Sequence, residues 1–137
     1  MIRAVIDTNV LVSGPLARAG NEALINLAIH QGLLRPYFSD EILAEYAGVL
    51  ARPKFAFERD EIDALLAMLH SKGELIRPEG PAPSLPDPDD GKFLHCAQAA
   101  QTEYIVTGNK RHFPSAQCGS TRIVSAGELL DRITMEL

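Results

Sequence analysis

The residues able to do chemistry fall in four short segments. Asp7 closes the apolar run Arg3-Ala4-Val5-Ile6 and is followed by Thr8 and Asn9, whose short polar side chains can bond nearby backbone and hold a carboxylate in place. Glu45 falls at the border of the apolar arc made by Ile42, Leu43, Tyr46, Val49 and Leu50 when residues are stepped around a helix. Asp90 closes Asp87-Pro88-Asp89-Asp90 and shares a helical arc with Phe93, Leu94 and Ala97, so a first-turn carboxylate points towards the core. Gly108-Asn109-Lys110-Arg111-His112 offers a neutral oxygen or amide donor beside local positive charge. Each segment has a plainer reading alone: a strand-ending turn, a surface glutamate beside the core, a charge serving a helix dipole, a solvated turn. Gathered in one crevice, these acids repel each other and lose hydration, and a divalent cation relieves both penalties. Hard Mg²⁺ or Mn²⁺ suits oxygen ligands, is commonly held by one or two carboxylates plus water, and favours phosphate oxygens as partners. Zinc fits poorly, because His30, His70, His95 and His112 show no paired ligand spacing and Cys96 and Cys118 are isolated.

The elements between these segments decide whether they meet. Arg3 to Ile6 reads as a buried strand, and Leu33 to Phe38 as a second. Between them, Asn21 is placed to cap a helix through Ile29 that ends at Gly32. Ser39 caps a helix running to about Leu50, with Asp40 and Glu41 in its first turn. Ile62, Leu65, Leu66 and Leu69 repeat at helical spacing from Arg59 onward, and Glu74-Leu75-Ile76 is a brief third strand. The proline-rich segment from Pro78 to Pro88 is a loop, since too few residues follow it to build a second core. Asp90 opens a helix to about Gln101, with Asp87 or Asp89 as its cap; Tyr104 to Thr107 and Arg122 to Val124 are strands, and Ser125 caps the last helix. Strands alternating with helices predict an α/β fold, a parallel sheet covered on both faces, with function in the crevice beyond the strands' carboxyl ends. Asp7 and Asn109 lie at two such ends.

Composition narrows the classes. The 137 residues suit one domain spanning 1–137, and 46% hydrophobic with 23% charged residues is enough to bury a core. A net charge of −5 excludes a broad basic face for nucleic acid. It does not exclude a local contact: Asp7, Glu45 and Asp90 belong to one expected cation site, and without them the remainder is close to neutral. The two cysteines read as reduced thiols of a cytoplasmic protein, and the acid at Asp7 breaks the only apolar run near the N-terminus, so neither a secretory signal nor a membrane span is expected.

Four motifs in this order, Asp7-Thr8-Asn9-Val10-Leu11-Val12-Ser13, Glu45-Tyr46 with Val49 to Phe55, Asp87-Pro88-Asp89-Asp90, and Val106-Thr107-Gly108-Asn109-Lys110-Arg111-His112-Phe113-Pro114, resemble the PIN-domain family. More narrowly they resemble its VapC-like branch, the toxin components of prokaryotic toxin–antitoxin systems. The resemblance covers essentially the whole chain. It implies a three-layer α/β/α sandwich on a central parallel sheet and Mg²⁺- or Mn²⁺-dependent cleavage of RNA phosphodiester bonds. Asp7, Glu45 and Asp90 match the family's central acids, with Asp87 beside them as a further ligand or outer partner. Asn109 stands where the family at large often has a fourth acid, which leaves the number of tightly bound ions open. Thr8, Asn9, Ser13 and Thr107 would support the ligands, Asn109 would orient a ligand or water, and Lys110 or Arg111 would contact the RNA backbone. A toxin of this kind implies a cognate antitoxin protein and a homodimer.

Two other classes share parts of this pattern. A PIN-like binding module whose metal site is weakened or lost would show its decay first at Asn109. A phosphoryl-transfer enzyme would also place acids at strand ends, but Asn9 stands where one such family needs a second acid, and no strand-ending Asp falls between Leu33 and Ile76.

Overall fold

A computed structural model describes residues 1–16 and 20–137. Strand β1 (Ile2–Ile6) runs into helix α1 (Thr8–Leu16), then α2 (Asn21–His30), β2 (Leu34–Phe38), α3 (Asp40–Leu50), α4 (Arg59–Lys72) and β3 (Glu74–Leu75). After the proline-rich loop come α5 (Gly91–Ala100), β4 (Tyr104–Val106), a short α6 (Ser115–Cys118), β5 (Arg122–Val124) and α7 (Ala126–Glu136). The five strands lie in the order β3-β2-β1-β4-β5, every neighbouring pair parallel, in the expected three-layer α/β/α arrangement. Chain order reverses between β1 and β4, and that switch point is where parallel sheets of this kind open a crevice.

The sheet is continuous in register, with Ala4 opposite both Pro36 and Tyr104, and Ile6 opposite Val106. Ala4, Val5, Ile6, Ile105 and Val106 are fully buried, which is why these strands read as unbroken apolar runs and not as alternations. One apolar cluster runs from Ile2 on β1 to Ile133 on α7. Pro36 brings no N–H to the middle of β2, and the β2–β3 ladder pairs only Tyr37 and Phe38.

Several helix boundaries follow from their caps. Ser39 Oγ accepts from Ile42 N–H to start α3, and Ser125 and Glu128 form a reciprocal capping box on α7. Gly32 takes a left-handed conformation, φ 74°, just beyond α2 as the sequence indicates. Three local expectations are corrected. Gly20, not Asn21, occupies the cap position of α2, and Asn21 is its first residue. Asp90 ends a 3₁₀ turn, Pro88–Asp90, that leads into α5 at Gly91. The third correction matters more: the chain after Asp7 is no simple turn but helix α1. Thr8, Val10, Val12, Ser13, Gly14 and Pro15 are weak helix formers, and Val10, Leu11 and Val12 are buried around more than one face, so no helical period shows. Packing against α2 and α3 stabilises the helix where propensity does not.

Candidate active site

The carboxyl ends of β1 and β4 lie side by side, and Asp7 N–H donates to the Val106 carbonyl at 2.8 Å, extending the ladder by one residue. Asp7 is thereby fixed at the sheet's edge, where its own carbonyl accepts the first backbone bonds of α1 from Val10 and Leu11. On the next helix face, the buried Tyr46 hydroxyl donates to the Ile6 carbonyl, pinning α3 to the residue before Asp7 and bringing Glu45 alongside. Asp90 arrives from the third side. Its turn is set by Asp87, whose Oδ1 accepts from Asp89 N–H at 3.0 Å, and by Gly91, where a Cβ would come within 2.9 Å of the Pro83 carbonyl of the overlying loop. The result is an open crevice of about 240 Å³ lined by Asp7, Thr8, Asn9, Glu45, Asp90 and Asn109, with Val49, Arg52 and His112 at its sides.

The acids are held differently. Asp7 is 9% exposed; Thr107 Oγ1 donates to its Oδ2 at 2.7 Å, and Thr107 in turn accepts from Asn109 N–H at 3.1 Å. Burial raises the Asp7 carboxyl above the usual carboxylate value; the Thr107 hydroxyl and the Thr8 N–H oppose this, while Glu45 adds to it. Asp90, also 9% exposed, is raised by burial, then opposed by His112, then raised further by Asp7 and Asp87. Its buried Oδ2 takes no aligned hydrogen bond, although His112 Nδ1 lies 3.1 Å away. Asn109 Nδ2 lies 2.9 Å from His112 Nε2; with that nitrogen accepting, the ring proton belongs on Nδ1, facing Asp90. Glu45 has both oxygens engaged, one by the Thr8 hydroxyl and the other by Lys92 Nζ at 2.7 Å.

A divalent cation fits this donor set in a limited sense. Among the described residues no three His, Cys, Asp or Glu side chains converge tightly enough to grip a metal alone. Two buried carboxylates side by side, one with an oxygen whose nearest polar neighbour is the poorly aligned His112 ring, nevertheless match a hard ion held by one or two carboxylates and its own water.

The other expected site residues divide. Thr8 and Thr107 bond to the acids directly, and Asn9 lines the crevice. Ser13 is half-buried on α1, Asp87 is exposed and caps its own turn, and neither lines the crevice. Lys110 pairs with Glu128 on α7, and Arg111 is exposed beside it. Sequence reasoning passed over Arg52 and Lys92 and treated His112 only as a local charge. Arg52 stands two residues past the end of α3, and Lys92 two after Asp90, an offset that places two side chains on different faces of a helix, so no spacing in the sequence singled either out.

Among the described residues no helix is long and apolar enough to cross a membrane. The sequence matches a family model, the PIN domain, over residues 3–111. The search of curated proteins found no match. Among solved structures, the chain is similar to the Rickettsia felis VapBC2 structure bound to a DNA fragment from its promoter, at 14% identity and a TM-score of 0.57, covering 90% of this chain and 98% of that one. At that identity the likeness speaks for the fold. PIN domains are generally nucleases and typically use divalent metals, in keeping with buried acids at the sheet's switch point. With most of its length matched by the family model, this chain belongs to the PIN-domain family.

Proposed function

We propose that the protein is a metal-dependent endoribonuclease, the toxin of a toxin–antitoxin pair, with residues 1–137 acting as one PIN-like unit. The observation that carries this reading is the pair of buried carboxylates, Asp7 and Asp90, both raised by burial, that face one crevice with the Asp90 Oδ2 left without an aligned donor. Asp7 and Asp90 would hold Mg²⁺ or Mn²⁺, with Glu45 beside them. When bound, such an ion supplies an activated water and stabilises charge on the scissile phosphate. The chain's own groups do the rest. Thr107 fixes the Asp7 rotamer, Thr8 bridges α1 to Glu45, and Asn109 with His112 closes the side next to β4. Asn9 supports the crevice wall and Ser13 the helix behind it. Arg52 offers a guanidinium at the crevice for a phosphate oxygen, with Lys110 and Arg111 further out along the RNA backbone. Asp87 acts on Asp90 as a neighbouring charge.

The VapBC2 likeness supports a cognate antitoxin as partner; a homodimer and a cytoplasmic setting belong to the same proposal. An antitoxin that inserts an arginine between Asp7 and Asp90 would neutralise the acids and exclude metal. Co-expression with the product of the neighbouring gene tests this: a stable complex that suppresses cleavage is expected, and free mixing without association overturns the pairing.

A second reading has one observation in its favour. No three donors converge among the described residues and Asn109 replaces an acid, so a PIN-like binding module with a weakened metal site would look the same without ions. Mapping cuts on total cellular RNA decides. Cleavage that needs Mg²⁺ or Mn²⁺ and disappears in folded Asp7→Asn and Asp90→Asn proteins supports the nuclease; RNA binding without cuts at any metal level supports the module.

A further inference from the structure

Lys92 has no place in the crevice described so far. It lies on α5 with only 14% of its side chain exposed, and its ammonium meets Glu45 Oε1 at 2.7 Å while also donating to the Asp89 carbonyl. It rests 5.3 Å from the Phe93 ring centroid. A lysine this enclosed calls for an acidic partner, and Glu45 is the acid it meets. The Thr8 hydroxyl takes the second Glu45 oxygen, so this carboxylate is satisfied from inside the protein, while Asp90 Oδ2 has only the poorly aligned His112 ring nitrogen 3.1 Å away. Lys92 is not part of the acid crevice lining. It lines the adjoining cavity of about 260 Å³ with Ser39, Arg77 and His95, and so reaches Glu45 from behind.

We propose that Lys92 is a built-in counter-cation that keeps Glu45 as an outer, positioning carboxylate and limits the crevice to one tightly held divalent ion on Asp7 and Asp90. This rests on the metal-dependent reading above and deepens it. An ion seated on Glu45 would meet the ammonium as a like charge, and driving Lys92 off would leave an enclosed charge unpaired. Glu45 becomes available to metal only when the Lys92 charge is removed.

Calorimetric titration of the full chain with Mn²⁺ alone tests the assignment, with circular dichroism as the check on folding. Wild type is expected to take up one ion per chain, and Asp90→Asn to lose it. Lys92→Gln should bind Mn²⁺ about tenfold more tightly or gain a second site, a modest fraction of the Coulomb energy of a charge at contact distance. Lys92→Arg keeps the charge and should match wild type. Lys92→Gln/Glu45→Gln removes both charges and should return to within about threefold of wild type, since the net local charge is restored. It also carries the test if Lys92→Gln alone fails to fold, because it leaves no unpaired acid. If the double variant loses Mn²⁺ as completely as Asp90→Asn, Glu45 is a direct ligand and the proposal is overturned while the metal site stands. Unchanged or weaker binding by folded Lys92→Gln overturns it equally. A wild-type protein that takes up no Mn²⁺ overturns both this proposal and the reading it rests on.

Discussion

Asp7 and Glu128 occupy similar positions in the chain, each just past a strand and at the opening of a helix, and the protein treats them in opposite ways. Glu128 is half exposed on α7; Lys110 and the Ser125 backbone N–H hold its carboxyl down to about 2. Asp7, like Asp90 across the crevice, is nearly buried and pushed up. One short turn serves both regions. From the 3₁₀ turn Lys110–His112, Lys110 is sent to Glu128 and His112 to Asp90. The lysine of this turn goes to the exposed acid, while Asp7 and Asp90 receive hydroxyls, amides and a histidine; the third crevice acid, Glu45, has Lys92. An acid given its own counter-charge acts as a structural group; acids denied one remain available to an outside cation.

The sharpest way to break this contrast is to neutralise one acid in each region. Asp7→Asn or Asp90→Asn should lower RNA cleavage by more than the ~10–100-fold typical of losing an outer partner of a metal ligand, while the melting temperature without metal stays level or rises. A cleavage assay paired with calorimetry in chelator checks both halves. Thr107→Val removes the hydroxyl that orients Asp7 and should cost about 10–100-fold in cleavage at saturating metal, with a weaker metal dependence as the accompanying readout.

The pH dependence of stability should carry opposite signs. Burial raises Asp90 above its usual 3.8, so the folded chain keeps a proton that the unfolded chain has already released; its contribution falls as pH rises from 3.8 through the folded value. Glu128 is lowered from 4.5 to about 2, so its contribution is complete above 4.5 and is lost as pH falls towards 2. Melting curves from about pH 3 to about pH 8 should show the advantage of Asp90→Asn over wild type opening as pH rises, and the deficit of Glu128→Gln closing as pH falls. Smaller effects belong to the α7 side. Ser125→Ala loses a cap bond worth about 1 kcal/mol, roughly 3–4 °C in melting temperature for a chain of this size, with cleavage unchanged. Glu128→Gln should lose less than about 1 kcal/mol, and added salt should erase most of it, because the Lys110 pair is exposed.

Much of the fold was legible because its strands are buried on both faces and its helices carry caps. Val5-Ile6, Ile105-Val106 and Ile123-Val124 announce strands by composition, and Ser39 and Ser125 announce helix starts by hydrogen-bonding chemistry. Helix α1 was not legible, since it is made of residues that form helices poorly and is held by neighbours distant in sequence. In the site, Asp7, Glu45, Asp90 and Asn109 could be picked out because each ends a strand or sits at the edge of a helical arc. That Asp87 would cap its own turn and Lys110 would turn away to Glu128 could not, because side chains in loops choose between several nearby partners.

The sequence by itself determined the parallel α/β order, the family resemblance and the acids at strand ends, since these depend on hydrophobic runs, caps and residue types that act over a few positions. Tertiary structure decided which acids share a charge environment. Lys92 reaches Glu45 across 47 positions of chain, Thr107 reaches Asp7 across 100, and Arg52 lines the crevice with no contact that the sequence could announce. Those pairings follow from the reversal of strand order between β1 and β4, and from the turn that α3 and α5 take around it. Electrostatic coupling falls off over a few ångströms, so only the folded distances assign each acid its partner.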